Sequence, residues 1–257
     1  MSYLDAIILG VIQGLTEFLP ISSSGHLVLA QKTLGVADPG VALEIVVHLG
    51  TLLSVLVYFR AKLWRLITSL YKRDARQDRA IVGYLIIGTI PAGLVGLLFE
   101  DFFDRAFDSP LLVSTMLLLT GAILFVSRFF KNSSGSVTLP RAVAMGLGQA
   151  LAILPGVSRS GSTIVAGMAS GVRPADAAEF SFLLAIPAIG GAAVLKFGDL
   201  AALDQGVIGA YLAGFIAAFT TGLMAVYVVL AVIKRGRFEY FAYYCFALGL
   251  IGLYLFR

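Results

Sequence analysis

The chain has 257 residues, of which 59% are apolar and 13% are charged, and its mean hydropathy is +0.93. Soluble globular proteins carry about twice this share of charged residues, so the composition indicates a polytopic membrane protein. The net charge is +4, but Lys and Arg lie in short patches between apolar runs, as orientation signals do, which argues against a nucleic-acid-binding protein.

Two apolar stretches, 5–35 and 142–172, are interrupted in the middle by Pro, Ser and Gly. A helix that enters the bilayer there would break and turn back, so each stretch predicts a re-entrant helical hairpin. Further apolar runs are uninterrupted and long enough to cross roughly 30 Å of hydrocarbon as helices. These runs are 42–59, 80–98, 111–130, 177–197, 207–233 and 240–256. The sequence therefore predicts an all-α polytopic membrane protein with six transmembrane helices and two re-entrant hairpins.

The charges beside these runs predict the orientation of the chain. Basic residues cluster at 60–79, 128–141 and 234–237, which we expect to be cytoplasmic. The acidic segment from Glu100 to Asp108, interpreted as a solvated flexible linker, and the nearly neutral segment from Lys196 to Asp204 then face outside. Both termini do so as well. We expect a multi-pass protein of the inner (plasma) membrane with both termini outside.

The two interrupted stretches resemble each other. Gln13 lies nine residues before Ser22-Ser23-Ser24-Gly25, and Gln149 lies nine residues before Ser158-Arg159-Ser160-Gly161. Each stretch has a proline just before its serines, and the span after each one opens on a triplet that ends in glutamate. This register indicates an internal duplication.

The duplication has a topological consequence. Each half, 1–131 and 132–257, holds one hairpin and three spans, and three is an odd number. The second half must therefore cross the membrane upside down relative to the first, as an inverted-topology repeat within one membrane domain. Hairpin 5–35 then dips in from outside and hairpin 142–172 from the cytoplasm, so we expect their tips to meet near the midplane.

Hairpin 142–172 carries the group that suggests a ligand. Arg159 lies between two serines at its tip, and a guanidinium matches phosphate oxygens in geometry. Half-helix N-termini and glycines nearby favour a bound anion, such as a phosphate or diphosphate. The alternative is that Arg159 snorkels, or pairs with Glu17 in a purely structural role.

Hairpin 5–35 carries a reactive set. Ser23 is a candidate nucleophile for phosphorus, and His26 is a candidate to take its proton or to protonate the leaving oxygen. Glu17 is a candidate to orient His26 or to hold a divalent cation. Against this, buried histidines are often simply satisfied, and serines in membrane helices often bond to their own backbone. These residues alone leave a phosphatase and an anion transporter about level.

The same residues carry a resemblance to a known family. The segment QGLTEFLPISSSGHLVL at 13–29 and the segment LPGVSRSGSTI at 154–164, together with EFSFLLAIP at 179–187, resemble the undecaprenyl-diphosphate phosphatases, also called bacitracin-resistance phosphatases. The resemblance covers nearly the whole chain. It implies hydrolysis of a C55 polyprenyl diphosphate to the monophosphate, the lipid carrier of cell-wall glycan synthesis, with a divalent cation such as Mg or Ca.

The resemblance also implies roles for individual residues. The family's acidic residue falls on Glu17, its candidate nucleophile on Ser23, its histidine on His26 and its phosphate-binding arginine on Arg159. Hydroxyl groups that support phosphate binding fall on Ser22, Ser24, Ser158, Ser160 and Thr163. The metal would be held by Glu17 and Gln13, where some members carry glutamate; a glutamine offers an amide oxygen but no charge.

Three more polar residues lie on predicted spans. Glu44 and His48 share a helix face, and Glu179 opens a later span; we favour satisfied polar residues that pack against the hairpins over a metal pair. We expect the active site to open to the outer face, with the polyprenyl tail in the bilayer between spans. The competing hypothesis is a secondary transporter or flippase for an anionic lipid or solute. The sequence leaves a homodimer open.

Overall fold

The structure is a computed structural model, and it describes residues 1–36, 40–198 and 205–257. Its regular elements in this part of the chain are helices, with short 3-10 turns at Ser127–Phe129 and Gln205–Val207 and no strand. The α-helices are α1 (Tyr3–Phe18), α2 (Ser23–Leu34), α3 (Gly40–Tyr58), α4 (Arg60–Ser69), α5 (Arg76–Leu98), α6 (Glu100–Phe107), α7 (Pro110–Val126), α8 (Leu139–Leu151), α9 (Arg159–Ala169), α10 (Pro174–Leu195), α11 (Ile208–Lys234) and α12 (Tyr240–Leu255).

Within the described residues, the helices α5, α7, α10 and α11 are each long and apolar enough to cross a membrane. The pair α3 and α4 is bent by 75° and adds a fifth candidate if it is one span. Helix α12 is apolar but has only 16 residues. The chain is therefore an all-helical, multi-pass membrane protein. The six predicted runs coincide with α3, α5, α7, α10, α11 and α12, of which four or five qualify as spans by length and composition.

Both predicted interruptions are present as helix breaks. Helix α1 ends at Phe18 because Leu19, which precedes Pro20, takes an extended conformation. Ser22 then adopts a positive φ of 67°, rare for a residue other than glycine, and begins α2. The second break lies between α8 and α9, where Gly156 has a φ of 93°.

Small residues bring the first helix of each broken pair close to a long helix. Gly10 of α1 lies against the carbonyl oxygen of Gly214 on α11, and a Cβ at Gly10 would clash with it. Gly146 of α8 lies in the same way against the carbonyl oxygen of Gly88 on α5. Close backbone approach of this kind is typical of helix packing in membranes. It fixes the position of each broken pair relative to the long helix beside it.

The acidic linker prediction is wrong. Glu100–Phe107 forms α6, a helix rather than a flexible connection, because Phe103 and Ala106 lie on one face and are both buried. Glu100 also pairs with Lys196 at 2.5 Å. The second predicted outer loop lies outside the described residues from position 199 to 204.

Candidate active site

The tips of the two broken helix pairs meet. The hydroxyl of Ser160, at the start of α9, donates to the carbonyl of Leu19 at 3.1 Å. In the other direction, the N–H of Gly156 donates to the hydroxyl of Ser24 at 3.5 Å. Residues from the first and the second half of the sequence thus form one polar cluster inside an apolar protein.

Glu17 lies at the centre of this cluster and is only 7% exposed. Its carboxylate accepts hydrogen bonds from the Gln13 amide at 2.9 Å, the Ser23 hydroxyl at 2.6 Å and the Arg159 guanidinium at 2.5 Å. The Nε2 atom of His48 lies 3.7 Å away. A buried carboxylate with this many donors is held as the anion.

Arg159 is held on both sides. One Nη atom donates to Glu17, and the other donates to the carbonyl of Ser181 at 3.3 Å. The hydroxyl of Thr163 braces the same place, since it donates to the carbonyl of Arg159 at 2.8 Å and lies 2.5 Å from the Ser181 hydroxyl. A guanidinium has five donors, so these two contacts leave others for phosphate oxygens. The ion pair between Arg159 and Glu17 that the sequence suggested is present. It does not use all the N–H donors of the guanidinium.

Serine side chains cap the two helices that begin at the tips. The hydroxyl of Ser22 accepts from the N–H of Gly25 at 3.2 Å, and that of Ser158 accepts from Gly161 at 3.0 Å. Each capping serine also contacts the serine two residues on, Ser24 at 3.2 Å and Ser160 at 3.3 Å. Two capped N-termini with free N–H groups in their first turns therefore face one site, which favours an anion.

His26 does not contact Ser23 or Glu17 through a hydrogen bond. Its Nδ1 lies 2.7 Å from the carbonyl of Ser22, and its Nε2 lies 2.7 Å from the hydroxyl of Tyr244. The expectation that Glu17 orients His26 is therefore wrong for this conformation, because the carboxylate is taken by Ser23 and Arg159. Tyr244 was missed from sequence, since it follows His26 by 218 residues and sits in an ordinary apolar run.

The side-chain oxygens around Glu17 provide part of a ligand set for a divalent cation. The Nε2 atom of Gln13 faces the carboxylate, and its Oε1 atom is buried with no hydrogen-bond partner among the described residues, so one oxygen ligand on a neighbour of Glu17 is unused. The described residues hold no cluster of three or more Asp, Glu, His or Cys side chains that suits a metal. Two oxygen ligands are nonetheless what Mg²⁺ takes from a protein when phosphate and water supply the rest.

The remaining candidates lie beside this centre. Glu44 accepts from Gln31 at 3.4 Å, and its carbonyl lies 2.7 Å from Nδ1 of His48. Glu179 forms an ion pair with Lys62. Both glutamates are thus satisfied polar residues, as favoured from sequence, whereas His48 turns its other nitrogen toward Glu17.

Comparisons with known proteins agree with this site. A family model described as bacitracin resistance protein BacA matches residues 6–251. A protein of Syntrophotalea carbinolica, named undecaprenyl-diphosphatase, is 44% identical over 97% of this chain and 97% of its own length. Proteins of the same name from Methanobrevibacter smithii and Salinibacter ruber are 43% and 40% identical, over 98% and 99% of this chain and 96% and 100% of their own lengths. The chain belongs to the bacitracin resistance protein BacA family.

Proposed function

We propose that this protein hydrolyses undecaprenyl diphosphate to undecaprenyl monophosphate and inorganic phosphate, and so recycles the lipid carrier of cell-wall glycan synthesis. The names of the relatives support this substrate. The observation that carries the proposal is the contact of Ser23, Glu17 and Arg159, in which a half-buried hydroxyl donates to a carboxylate that is itself paired with a guanidinium. A nucleophile, a base and an anion-binding cation thus lie within one hydrogen-bonded chain.

The contacts suggest an order of events. Arg159, the serine hydroxyls and the capped N-termini of α2 and α9 hold the terminal phosphate. Ser23 Oγ attacks its phosphorus as the hydroxyl proton passes to Glu17, and the bond to the bridging oxygen breaks to release the lipid monophosphate. Water then attacks the phosphoserine, the bond between phosphorus and Ser23 Oγ breaks, and the proton held by Glu17 returns to Oγ as inorganic phosphate leaves. Of the candidates, Ser23 is the better acceptor than His26, because its hydroxyl donates directly to a carboxylate that can take the proton, whereas the accepting nitrogen of His26 faces Tyr244.

His26 is a second candidate base in the site. It does not reach the hydroxyl of Ser23, so we assign it to the second step, as the group that takes a proton from the attacking water. Its accepting nitrogen is Nε2, which lies 2.7 Å from the hydroxyl of Tyr244, because a carbonyl can only accept and Nδ1 must therefore carry the hydrogen that bonds to Ser22.

Glu17 and Gln13 would hold the divalent cation, Mg or Ca. The unpartnered Oε1 of Gln13, whose Nε2 donates to the same carboxylate, supports this assignment. When bound, such a cation supplies neutralisation of the diphosphate charge. Ser22, Ser24, Ser158, Ser160 and Thr163 support the phosphate site around it.

We also propose six spans and two re-entrant hairpins in an inverted repeat of residues 1–131 and 132–257. Three matched features support it: the helix breaks, the capping serines and the close glycine contacts of α1 and α8 occur in both halves. The site then opens to the outer face, with both termini outside and the basic loop at 60–79 in the cytoplasm. The polyprenyl tail lies in the bilayer between helices.

Release of inorganic phosphate from undecaprenyl diphosphate by the purified protein in detergent tests the activity. We expect Ser23→Ala, His26→Ala and Arg159→Ala each to lower the rate by about 100-fold or more. Ser170→Ala is the matched control, since its hydroxyl only bonds to Gly167 of its own helix, and it is expected to keep the wild-type rate.

Trapping the phosphoenzyme identifies the acceptor, because phosphoserine survives acid whereas phosphohistidine does not. An acid-labile adduct would assign the step to His26 instead. If the wild-type protein releases no phosphate while the lipid crosses a vesicle membrane, the transporter hypothesis replaces the enzyme; the names of the relatives do not favour it.

A further inference from the structure

Tyr244 of α12 contacts the candidate histidine from the far end of the sequence. Its hydroxyl lies 2.7 Å from Nε2 of His26, and the two rings are parallel within 2° with centroids 5.6 Å apart. The tyrosine is 46% exposed, so its ring borders the outside of the cluster, while its hydroxyl is turned to His26.

Both ring nitrogens of His26 are therefore fixed, and their roles follow from their partners. The carbonyl of Ser22 accepts from Nδ1–H, so Nε2 is the acceptor and the hydroxyl of Tyr244 is the donor. Bonds at opposite sides of the imidazole leave it no freedom to rotate. Ser22, which holds one of them, is itself held at its positive φ by the break between α1 and α2.

The position of Tyr244 does not depend on this hydrogen bond. The neighbouring Cys245 is fully buried, with its Sγ 3.9 Å from the carbonyl of Pro20 in the same break. One turn and more along α12, Gly249 and Gly252 lie close to Ser114 of α7. Removal of the tyrosine hydroxyl should therefore leave α12 in place.

Other tyrosines of α12 show what an ordinary lipid-facing residue looks like here. Tyr240, Tyr243 and Tyr254 are 59%, 57% and 67% exposed. Tyr243 has an edge contact with the ring of Phe125, with centroids 6.3 Å apart. Among the hydrogen bonds of the described residues, the hydroxyl of Tyr244 is the one from this group that reaches a site residue.

We propose that Tyr244 is a positioning residue for the hydrolysis, one that holds His26 as the Nδ1–H tautomer with Nε2 ready to accept a proton. This proposal rests on the function proposed above. When the attacking water arrives at Nε2, it takes the place of the tyrosine hydroxyl, and the ring needs neither to turn nor to change tautomer. Tyr244 itself does not contact the diphosphate.

The test is Tyr244→Phe, which keeps the ring and removes only the hydroxyl, with Tyr243→Phe as the matched control on the same helix. We expect Tyr244→Phe to lower kcat for phosphate release by about tenfold or more while KM stays within about twofold. Tyr243→Phe keeps both. In a His26→Ala background, Tyr244→Phe is expected to have no further effect, because the residue acts through His26.

A second measurement reads the imidazole directly. The chain has two histidines, so ¹⁵N-labelled histidine gives two sets of ring signals, and a His48→Gln variant assigns them. We expect His26 to show Nδ1–H and an accepting Nε2 in the wild type, and Tyr244→Phe to shift the Nε2 signal while the signals of His48 stay unchanged.

The outcomes separate the two proposals. Wild-type kcat in Tyr244→Phe, or an equal loss in the presence and absence of His26, overturns the role of Tyr244 and leaves the phosphatase intact. An unaltered His26 signal in Tyr244→Phe overturns the contact itself. A wild-type protein that releases no phosphate overturns the proposed function, and the role of Tyr244 with it.

Discussion

The Glu17–Arg159 pair supplies both charges at the centre of the site, one from each half of the sequence. Little of either side chain is exposed, 6% of Glu17 and 15% of Arg159, and each would be an expensive charge alone. The pair therefore has two roles, to hold the tips of the broken helices together and to present donors for phosphate.

Substitution at Arg159 separates these two roles. Arg159→Lys keeps the charge but replaces the two nitrogens that bond to Glu17 and to the Ser181 carbonyl with a single nitrogen on a shorter side chain, so phosphate release is expected to fall by about 100-fold with a small loss in Tm. Arg159→Met leaves Glu17 without its partner, at a cost of about 3–5 kcal/mol in the free energy of unfolding. Activity assays and thermal melts in detergent measure both. Equal activity of the lysine variant and the wild type would show that the separate bonds of the guanidinium to Glu17 and Ser181 are not needed.

The residue at position 13 sets the number of carboxylates in the proposed cation site, because Gln13 is neutral and lies beside Glu17. Gln13→Glu adds a second carboxylate within hydrogen-bonding distance of Glu17, so without divalent cation the two like charges should lower Tm. With Mg or Ca added, Tm is expected to recover, and half-maximal phosphate release to need less cation than in the wild type. Gln13→Leu, which removes the oxygen ligand, is expected to need more. If cation titrations of the three proteins coincide, position 13 does not hold a metal.

At the scale of the elements, close glycine contacts position the broken helices against the long helices α11 and α5. Gly10→Ala and Gly146→Ala place a methyl group against the carbonyl oxygens of Gly214 and Gly88, and each is expected to cost about 1–3 kcal/mol in the free energy of unfolding. Gly83→Ala is the matched control, because nothing lies within 4 Å of its added Cβ, and helix propensity alone should leave it neutral or slightly stabilised. Thermal melts in detergent compare the three. A stable Gly10→Ala variant that retains activity would show that the contact is not tight.

The second broken pair carries polar groups that the site does not use. Both amide atoms of Gln149 and the hydroxyl of Ser162 are buried without a hydrogen-bond partner in the described residues. In the repeat register of 136 these positions match Gln13 and His26, while the position of Glu17 is taken by Ile153. In the proposed repeat the second half therefore has the capped turn but no carboxylate, and Arg159 stands at the position that matches Ser23.

A comparison of Gln149→Met with Gln13→Met tests whether the glutamine of the second broken pair contributes to the site. An unsatisfied buried amide costs about 1–3 kcal/mol, so Gln149→Met is expected to keep Tm or raise it and to keep phosphate release within about twofold. Gln13→Met removes a donor to Glu17 and is expected to lower the rate. A loss of stability in Gln149→Met would indicate that the amide is satisfied by water.

The sequence predicted those elements whose cause is local. A proline after an apolar run disfavours continuation of the helix, and a serine three residues before a glycine caps the next helix; the proline recurs 135 residues later and the capping serine 136 residues later. The contact of Arg159 with the first hairpin was predictable because a buried charge needs a partner. Tyr244 was not, since nothing in an apolar run distinguishes one interfacial tyrosine from another. The helix α6 was missed because its eight residues are rich in Asp and Glu. Its apolar face is only two residues wide and consists of Phe103 and Ala106, which are three positions apart.

At the scale of the whole molecule, the direction of the broken helices decides which side of the membrane supplies the substrate. The basic segment at 60–79 comprises helix α4, the turn after it and the start of α5, and Trp64 on α4 is exposed, as is typical of a membrane interface. The acidic helix α6 follows the next span and lies across the bilayer from it in the proposed topology. If this assignment is reversed, the same site opens to the cytoplasm.

Cysteine labelling of intact cells tests the orientation. The chain has one cysteine, Cys245, which is buried, so Cys245→Ala gives a background without thiols once its phosphate release is verified. Asp104→Cys on α6 and Asp74→Cys after α4 then place single thiols at exposed positions. A maleimide that cannot cross membranes is expected to label position 104 in intact cells, and position 74 only after permeabilisation. Labelling in the opposite order would invert the protein and move hydrolysis of the diphosphate to the cytoplasmic leaflet, because α1 and α2 would then enter from that side.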